Sequence, residues 1–227
     1  MATKKELLEK AKKPAQEAMR LHLFYRGKIE VVPKCRVSSF QDFAIWYTLG
    51  VAACCQEINK NQESVFEYTK RLSGLTKTTD VCRVLGLGDI GPEAAMPVME
   101  GMALLFKYLG GIDAFPICLK TKDKEEIIKT VKILQPSFGG INLEDIAQPK
   151  CFDILDRLRR ECEIPVWHDD QQGTAAVTLS GLSNALKIVG KQMSQVKVAM
   201  VGAGAANICI ARLIIQAGVN PAHIIMC

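Results

Sequence analysis

Apolar side chains recur along the chain with two different periods, which divide it into helical and strand-like stretches. In residues 4–22 they return every three or four positions, as in an amphipathic helix. From residue 81 onward, short apolar runs alternate with helical repeats. The pattern predicts strands at 81–87, 114–119, 137–141 and 164–167 and helices at 92–109, 123–134 and 150–162. Such alternation is typical of βαβ units that share a parallel sheet.

A second α/β part is predicted after residue 168. A helix at 172–189 leads to a strand at 196–201, a glycine turn, a helix at 205–217 and a strand at 223–226. We therefore divide the chain into an N-terminal α/β domain, 1–167, and the start of a Rossmann-like dinucleotide-binding domain, 168–227. Since a doubly wound domain has about six strands, the second part would be unstable alone. Either the natural protein continues past Cys227, which we favour, or a partner completes the sheet.

Composition and charge argue against several classes of function. Hydrophobic residues make up 48% and charged residues 23% of the 227 positions, as in an ordinary globular protein. The net charge of +5 is spread along the chain without a basic patch, so we expect no nucleic-acid partner. The most apolar stretch, 196–219, is interrupted by Lys197, Asn207 and Arg212, so we expect no membrane span.

The cysteine pattern indicates a cellular compartment. Nine cysteines form neither a Cys-x-x-Cys pair nor the Cys/His spacing of a zinc site. An odd number in a chain of this size favours reduced thiols, many of them buried as small apolar side chains. The first ten residues contain glutamates and lack the apolar core of a signal peptide. We therefore expect a cytoplasmic protein.

Two pairs of neighbouring acids follow predicted strands. Glu144 and Asp145 come after the strand at 137–141, and Asp169 and Asp170 come after the strand at 164–167. Open parallel sheets bind ligands at the carboxyl ends of their strands. Four carboxylates that meet there repel one another, and a hard cation such as Mg²⁺ or Mn²⁺ would relieve the repulsion. Spacing alone leaves another interpretation open, in which Asp145 opens a turn and Asp170 caps the helix at 172–189.

Two glycine turns could each approach a phosphate group. The first contains Gly86, Gly88 and Gly91 and precedes Pro92, which suits the first turn of a helix. Asp89 in this turn would repel a pyrophosphate, so a tight strand–helix turn is an equal alternative. The second turn, at 202–206, lies between an apolar strand and an apolar helix, as in a dinucleotide fingerprint whose third glycine is replaced by Asn207.

Several other side chains have ordinary structural interpretations. Met96, Met99 and Met102 recur at helical spacing, which is typical of a stripe that faces the core. His168 could orient one of the neighbouring aspartates or simply fill the end of its strand. His22 and His223 are expected to be ordinary helix and strand residues.

Five segments in the same order resemble the malic enzyme family in its shorter microbial form. They are VLGLGDIGPEAAMPVME at 84–100, GIDAFP at 111–116, INLEDI at 141–146, HDDQQGTAA at 168–176 and GAGAA at 202–206. The resemblance begins near Tyr47 and is weak only at 59–80. It implies oxidative decarboxylation of (S)-malate to pyruvate and CO₂, with NAD or NADP and with Mg²⁺ or Mn²⁺. It also implies a homodimer or a higher homo-oligomer.

The resemblance assigns roles to individual positions. Glu144, Asp145 and Asp170 correspond to the family's metal ligands, and Tyr47 to the general acid that protonates the enolpyruvate carbon. Asp169 corresponds to the acid that neighbours and tunes the general base. Arg83 corresponds to an arginine that holds a substrate carboxylate, for which a bidentate guanidinium is suited. The candidate cofactor-binding residues are Gly86, Gly88 and Gly91 in the first turn and Gly202, Ala203, Gly204, Ala205 and Ala206 in the second.

The chain departs from the family at two important positions. The family's general base is the lysine of Met-Glu-Gly-Lys, where this chain has Met102, which cannot accept a proton. Lys107 lies about 140° further round a helix from that position. Leu49 replaces a proline and is expected to loosen the turn that aims Tyr47. We therefore expect at most weak dehydrogenase activity.

Two alternatives stay open. One is a non-catalytic relative or fragment that binds metal or a dicarboxylate, or that associates with full-length subunits. The other is a different nicotinamide dehydrogenase, such as an amino-acid dehydrogenase. The paired acids after two strands argue against the latter, because hydride transfer from an amine needs no metal.

Overall fold

The computed structural model describes the backbone of residues 4–70 and 87–227, and the side chains from residue 14 onward within those ranges. Its architecture is mixed α/β, rich in helices and with parallel strands, as the apolar pattern predicted. None of the described helices is both long and apolar enough to cross a membrane.

Helices form most of the N-terminal part. They are α1 (Lys4–Tyr25), α2 (Phe43–Trp46), α3 (Val51–Lys60), α4 (Val65–Tyr68) and α5 (Gly91–Gly110). The helix predicted at 4–22 is therefore confirmed and continues to Tyr25. Helix α5 has Pro92 in its first turn and ends at Gly111, whose φ of 66° lies in the left-handed region that suits glycine at a helix end.

Helices α3 and α5 pack against each other through small and sulfur-containing side chains. Their shared cluster comprises Val51, Cys55, Ala95, Val98, Met99 and Met102. The predicted core-facing methionine stripe of α5 is confirmed, because Met96, Met99 and Met102 are all buried. Tyr47 packs on the same cluster from the turn between α2 and α3.

A βαβ unit follows, as predicted. Strands β1 (Ile141–Leu143) and β2 (Val166–His168) pair in parallel and are connected by helix α7 (Lys150–Glu161). Helix α6 (Lys124–Leu134) packs beside α7 and begins at Asp123, whose side chain accepts a hydrogen bond from the Glu126 N–H. The core of this unit consists of Ile127, Ile128, Val131, Leu143, Ile146, Cys151, Ile154, Leu155, Leu158 and Val166.

Three predicted strands differ from the structure or lie outside it. The strand expected at 137–141 starts only at Ile141, because residues Gln135–Ser137 form a 3₁₀ turn around Pro136. The strand expected at 114–119 is reduced to isolated bridges at 117–119. The strand expected at 81–87 falls almost wholly outside the described residues.

The C-terminal part repeats the strand–helix–strand pattern. Helix α8 (Thr174–Val189) leads to strand β3 (Val198–Met200), helix α9 (Ala205–Gln216) and strand β4 (Ile224–Met226), which pairs with β3 in parallel. Ala175, Met200, Ile210, Ile214 and Val219 form their shared core. The helix predicted to begin at residue 172 begins at Thr174, because a π-helical turn occupies Asp169–Gly173. The domain boundary at 167/168 stays a prediction.

Candidate metal and active site

The register of β1 and β2 brings the two acidic segments together. Leu143 pairs with His168, so the chain leaves both strands at the same edge of the sheet. One carboxylate oxygen from each of Glu144, Asp145 and Asp170 lies within 4.8 Å of the other two. The structure thus places three of the predicted metal ligands in one cluster, whereas metal binding itself stays a prediction.

The backbone of both loops is shaped to make this cluster. Asp145 has a φ of 56°, in the left-handed region that aspartate tolerates better than most residues. Its N–H donates a 2.9 Å hydrogen bond to Asp170 Oδ2, which ties the loop after β1 to the loop after β2. Asp170 does not cap α8, since it lies inside the π-helical turn and Gly173 occupies the N-cap position. The capping interpretation of Asp170 is therefore wrong.

Electrostatics show that this cluster fits a cation. Glu144 and Asp145 are each only 8% exposed, and within the described part of the chain Glu144 Oε2 and Asp145 Oδ2 have no hydrogen-bond partner. Burial, and then repulsion from Asp170, raise the pKa of Glu144 to about 10 and that of Asp145 to about 8. Burial also raises the pKa of Asp170. Buried carboxylates are normally paired or bound to metal, and oxygen ligands suit Mg²⁺ or Mn²⁺.

Tyr47 lies next to the acids because α5 has a glycine at position 101. A Cβ at Gly101 would lie 2.7 Å from the Trp46 carbonyl oxygen and 2.9 Å from Tyr47 Cδ2. Burial, and then the charges of Glu144 and the three aspartates, raise the pKa of the Tyr47 phenol well above its usual range. The turn is closed by hydrogen bonds from Gly50 N to the Ala44 carbonyl and from Val51 N to the Tyr47 carbonyl, although Leu49 replaces the proline.

Asp169 occupies the first position of the π-helical turn, and its carboxylate folds back over Gly173. A Cβ at Gly173 would lie 2.2 Å from Asp169 Oδ1, so this geometry needs glycine there. Asp169 and Glu144 both line a cleft of about 850 Å³ whose walls are mainly apolar side chains of α5, α6 and residues 112–119. Among the described lining residues, none carries a positive charge.

Met102 also lines this cleft but carries no acid–base group. It is 8% exposed and packs in the apolar cluster of α3 and α5. Lys107, five residues further along α5, is engaged in ion pairs, because its Nζ lies 2.6 Å from Glu30 Oε1 and 2.9 Å from Asp113 Oδ1. Arg83, the predicted substrate ligand, lies outside the described residues, as does Gly86.

The two glycine turns differ in structure. Gly88 and Gly91 have φ values of 81° and 82°, and Asp89 between them forms an ion pair with Lys122. Nothing in this geometry favours a phosphate over a tight turn before α5. By contrast, residues 202–206 connect β3 to the first turn of the 12-residue helix α9, where free backbone N–H groups suit a phosphate.

Asn207 holds the second turn in shape. Its Nδ2 donates hydrogen bonds of 2.8 Å to the carbonyl oxygens of both Val201 and Gly202. The residue that weakened the fingerprint in the sequence thus has a structural role in the same turn. Cofactor binding by residues 202–206 stays a prediction.

Two polar side chains of the acidic region are more deeply buried than sequence reasoning indicated. His168 is fully buried, and its Nδ1 lies 3.7 Å from Asp170 Oδ2. Burial lowers the pKa of His168 to about 4, against an opposing effect of Asp169. Gln171 is 2% exposed, and its Nε2 donates to the Cys151 carbonyl at 3.2 Å. The alternation along β2 could have indicated that His168 faces inward with Val166.

Comparison with known proteins identifies the family of this chain. The model for the malic enzyme N-terminal domain matches residues 26–159, and that for the malic enzyme NAD binding domain matches 171–223. A bifunctional malic/malolactic enzyme of Bacillus subtilis is 51% identical over 93% of this chain and 51% of its own length. An NAD-dependent malic enzyme of Geobacillus stearothermophilus is 53% identical over 86% of this chain and 41% of its own length.

Solved structures of malic enzymes are also similar to this chain. The malic enzyme from Pyrococcus horikoshii is 54% identical, with a TM-score of 0.65 over 88% of this chain and 46% of that one. The NAD-dependent malic enzyme from Thermotoga maritima has a TM-score of 0.64 at 45% identity, over 92% of this chain and 55% of that one. The chain spans about half the length of the curated relatives that it matches first. It belongs to the malic enzyme family of oxidoreductases.

Proposed function

We propose that this chain forms the substrate- and metal-binding part of a malic enzyme that converts malate to pyruvate and CO₂ with reduction of NAD or NADP. The observation that carries the proposal is the cluster of Glu144, Asp145 and Asp170, whose oxygens come within 4.8 Å of one another from two strand ends. Relatives with NAD-dependent and NADP-dependent names are both similar to this chain, so the proposal includes either nucleotide.

In this proposal, Glu144, Asp145 and Asp170 hold Mg²⁺ or Mn²⁺ beside the cleft. When bound, the metal would supply Lewis-acid polarisation of the substrate oxygen and the nucleotide would supply a hydride acceptor. The chain's own role is to hold the acids apart from bulk water and in register, through the Asp145–Asp170 hydrogen bond. The residues at 202–206 would receive the nucleotide phosphates at the first turn of α9.

Tyr47 is the proposed general acid. A phenol keeps its proton at neutral pH, and burial and the neighbouring acids favour the protonated form of Tyr47 further by raising its pKa. It can therefore donate that proton to the carbon that becomes the methyl group of pyruvate. Asp169 shares the cleft with Glu144 and would tune a base beside it, but α5 presents Met102 at the base position.

A second candidate function follows from Met102. Since no proton acceptor stands at this position, the malate hydroxyl would keep its proton and hydride transfer would be slow. The chain would then act as a non-catalytic malic enzyme relative that binds metal and a dicarboxylate, or that associates with full-length subunits. The burial of Met102 among apolar side chains favours this function over a fully active enzyme.

Isothermal titration separates these functions. The purified chain is titrated with Mn²⁺ and then with malate, and NAD(P)H formation is followed in parallel with the chain joined to the remaining cofactor domain of a relative. The enzyme and a relative that binds metal and a dicarboxylate both require Mn²⁺ binding, which Asp170→Asn should weaken and Asp153→Asn should leave unchanged, because Asp153 pairs with Lys124 on the surface. Binding without turnover supports the non-catalytic function. Absence of Mn²⁺ binding would contradict both.

We also propose a homodimer or higher oligomer in the cytoplasm. The end of α1 and the segment after it expose large apolar side chains, among them Leu23 at 82% and Ile29 at 86%. The eight cysteines of the described residues are all free thiols, which suits a reducing compartment. Light scattering should give a mass of at least twice 25.0 kDa, and a 25.0 kDa particle would contradict the oligomer.

A further inference from the structure

His168 is a polar side chain that no proposed step uses. It is fully buried at the end of β2, and neither ring nitrogen has a hydrogen-bond partner among the described residues. Buried polar groups in folded proteins are almost always hydrogen-bonded. An imidazole left without partners at the edge of an acidic cluster therefore needs an explanation.

The nearest acceptor to His168 belongs to a proposed metal ligand. Its Nδ1 lies 3.7 Å from Asp170 Oδ2, the same oxygen that accepts the Asp145 N–H at 2.9 Å. Gln172 Oε1 accepts the backbone N–H of His168 at 3.1 Å, which fixes the main chain from which the ring projects. A movement of about 0.5–1 Å would bring Nδ1 within the usual hydrogen-bond range.

We infer that His168 is a positioning residue, whose Nδ1–H holds Asp170 Oδ2 so that the rest of the carboxylate faces Glu144 and Asp145. The inference rests on the proposed function, because it assumes that these three acids bind a divalent cation. An imidazole Nδ1 that carries a proton can donate to a carboxylate oxygen. With its proton on Nδ1, the ring joins the Asp145 N–H as a second donor to one oxygen.

The geometry favours this role over direct ligation. The oxygens of Glu144, Asp145 and Asp170 lie within 4.8 Å of one another, and no nitrogen of His168 belongs to that group. Hydrogen bonds to ligating carboxylates commonly set metal affinity from the second layer of contacts. His168 therefore acts through Asp170, without touching the cation or the substrate.

Three substitutions of His168 test the inference in the 227-residue chain. His168→Asn places an amide nitrogen close to the position of Nδ1, whereas His168→Gln places one close to Nε2, away from Asp170. His168→Leu fills the same space without a donor. Mn²⁺ affinity is measured from the electron paramagnetic resonance signal of the free ion, and circular dichroism of each metal-free variant shows whether it folds.

We expect His168→Leu and His168→Gln to weaken Mn²⁺ binding by about tenfold or more. His168→Asn should retain most of the wild-type affinity, because it restores the donor to Asp170. His223→Leu is the matched control: the Nδ1 of His223 is also buried and has no partner in the ranges that the structure describes, but His223 precedes β4 in the C-terminal part. The free energy of unfolding of His223→Leu can fall, but its affinity for Mn²⁺ should equal that of the wild-type chain.

The outcomes distinguish this inference from the function on which it rests. If the wild-type chain binds no Mn²⁺, the proposed metal site fails and the role of His168 with it. If the wild-type chain binds Mn²⁺ and the asparagine and leucine variants bind it equally, at any affinity, the role of His168 alone is wrong. Coupling of the Mn²⁺ spin to an imidazole nitrogen in the wild-type chain would make His168 a ligand and would also overturn the positioning role.

Discussion

At the scale of single residues, the function of this chain depends on a few side chains in an apolar surrounding. Met102, at the proposed base position, has a thioether that cannot accept a proton, while Glu144 and Asp145 have raised pKa values. Lys107 is engaged with Glu30 and Asp113 and cannot compensate. In the proposed function, Met102 on α5 thus separates binding of the metal from the proton transfer that malate oxidation needs.

Met102→Lys should restore that proton transfer. A positioned general base contributes about 10²–10⁴-fold to a rate, and the nearby carboxylates would stabilise a lysine there. The assay measures NAD(P)H formation from malate and Mn²⁺, with this chain joined to the remaining cofactor domain of a curated relative. Lys107→Met is the control and should leave the rate unchanged. If Met102→Lys gives no increase, Met102 does not occupy the base position.

At the scale of elements, periodicity predicted the helices well and the strand ends poorly. The helices at 92–109, 123–134 and 150–162 correspond within two residues to α5, α6 and α7, because each has a continuous apolar face. A strand of three residues has too few positions to show a two-residue alternation of apolar side chains, so its ends are hard to predict. Strand β1 accordingly begins at Ile141, where the strand predicted at 137–141 ends.

The candidate site was predictable in its residue types but not in its geometry. Acids after strands predicted a shared edge, which the parallel register of β1 and β2 provides. The π-helical turn at Asp169–Gly173 and the left-handed Asp145 have no local signal, because both depend on contacts between two distant loops. The burial of His168 and Gln171 likewise depends on how α7 and β2 pack.

Gly101→Ala tests the contact between α5 and the Tyr47 turn. The added methyl group would meet Trp46 and Tyr47 below 3.0 Å, so we expect a loss of about 1–3 kcal/mol in the free energy of unfolding. Gly181→Ala in α8 is the matched control, since nothing lies within 4 Å of its Cβ, and it should stabilise by about 0.5–1 kcal/mol. Urea unfolding of both variants measures these changes in the free energy of unfolding. Equal effects at the two positions would show that α5 does not need a glycine at the turn.

At the scale of the whole molecule, the acidic cluster lies where two family segments meet. Glu144 and Asp145 belong to the matched segment 26–159, and Asp170 immediately precedes the matched segment 171–223. Repulsion among these carboxylates therefore acts between the two parts of the chain. A cation bound to all three carboxylates would offset that repulsion and would link the two parts of the chain.

The pH dependence of stability should reveal this repulsion. Glu144 and Asp145 hold their protons more tightly in the folded chain, with pKa values of about 10 and about 8 against ordinary values of 4.5 and 3.8. Their stabilising contribution is therefore complete below the ordinary values and is lost as pH rises through the raised ones. His168, whose pKa is lowered to about 4, acts in the opposite direction but only below its ordinary value of 6.5.

We accordingly expect the metal-free chain to be less stable at pH 8.5 than at pH 7. Urea unfolding with a chelator at the two pH values measures the difference. Saturating Mn²⁺ should remove most of it, because a ligand that binds only the folded state stabilises that state. Asp145→Asn should reduce the pH dependence in the absence of metal. A metal-free chain that becomes more stable over this interval would contradict the raised pKa values.

The side chain of Asn207 affects the free energy of the nucleotide binding that we propose for residues 202–206. Because its amide holds the carbonyls of Val201 and Gly202, the bend before α9 is preorganised by the chain itself. Fixing the backbone of one residue costs about 1–2 kcal/mol of conformational entropy. That cost falls on folding, so a nucleotide that binds there, as proposed, would not have to supply it from its own contacts.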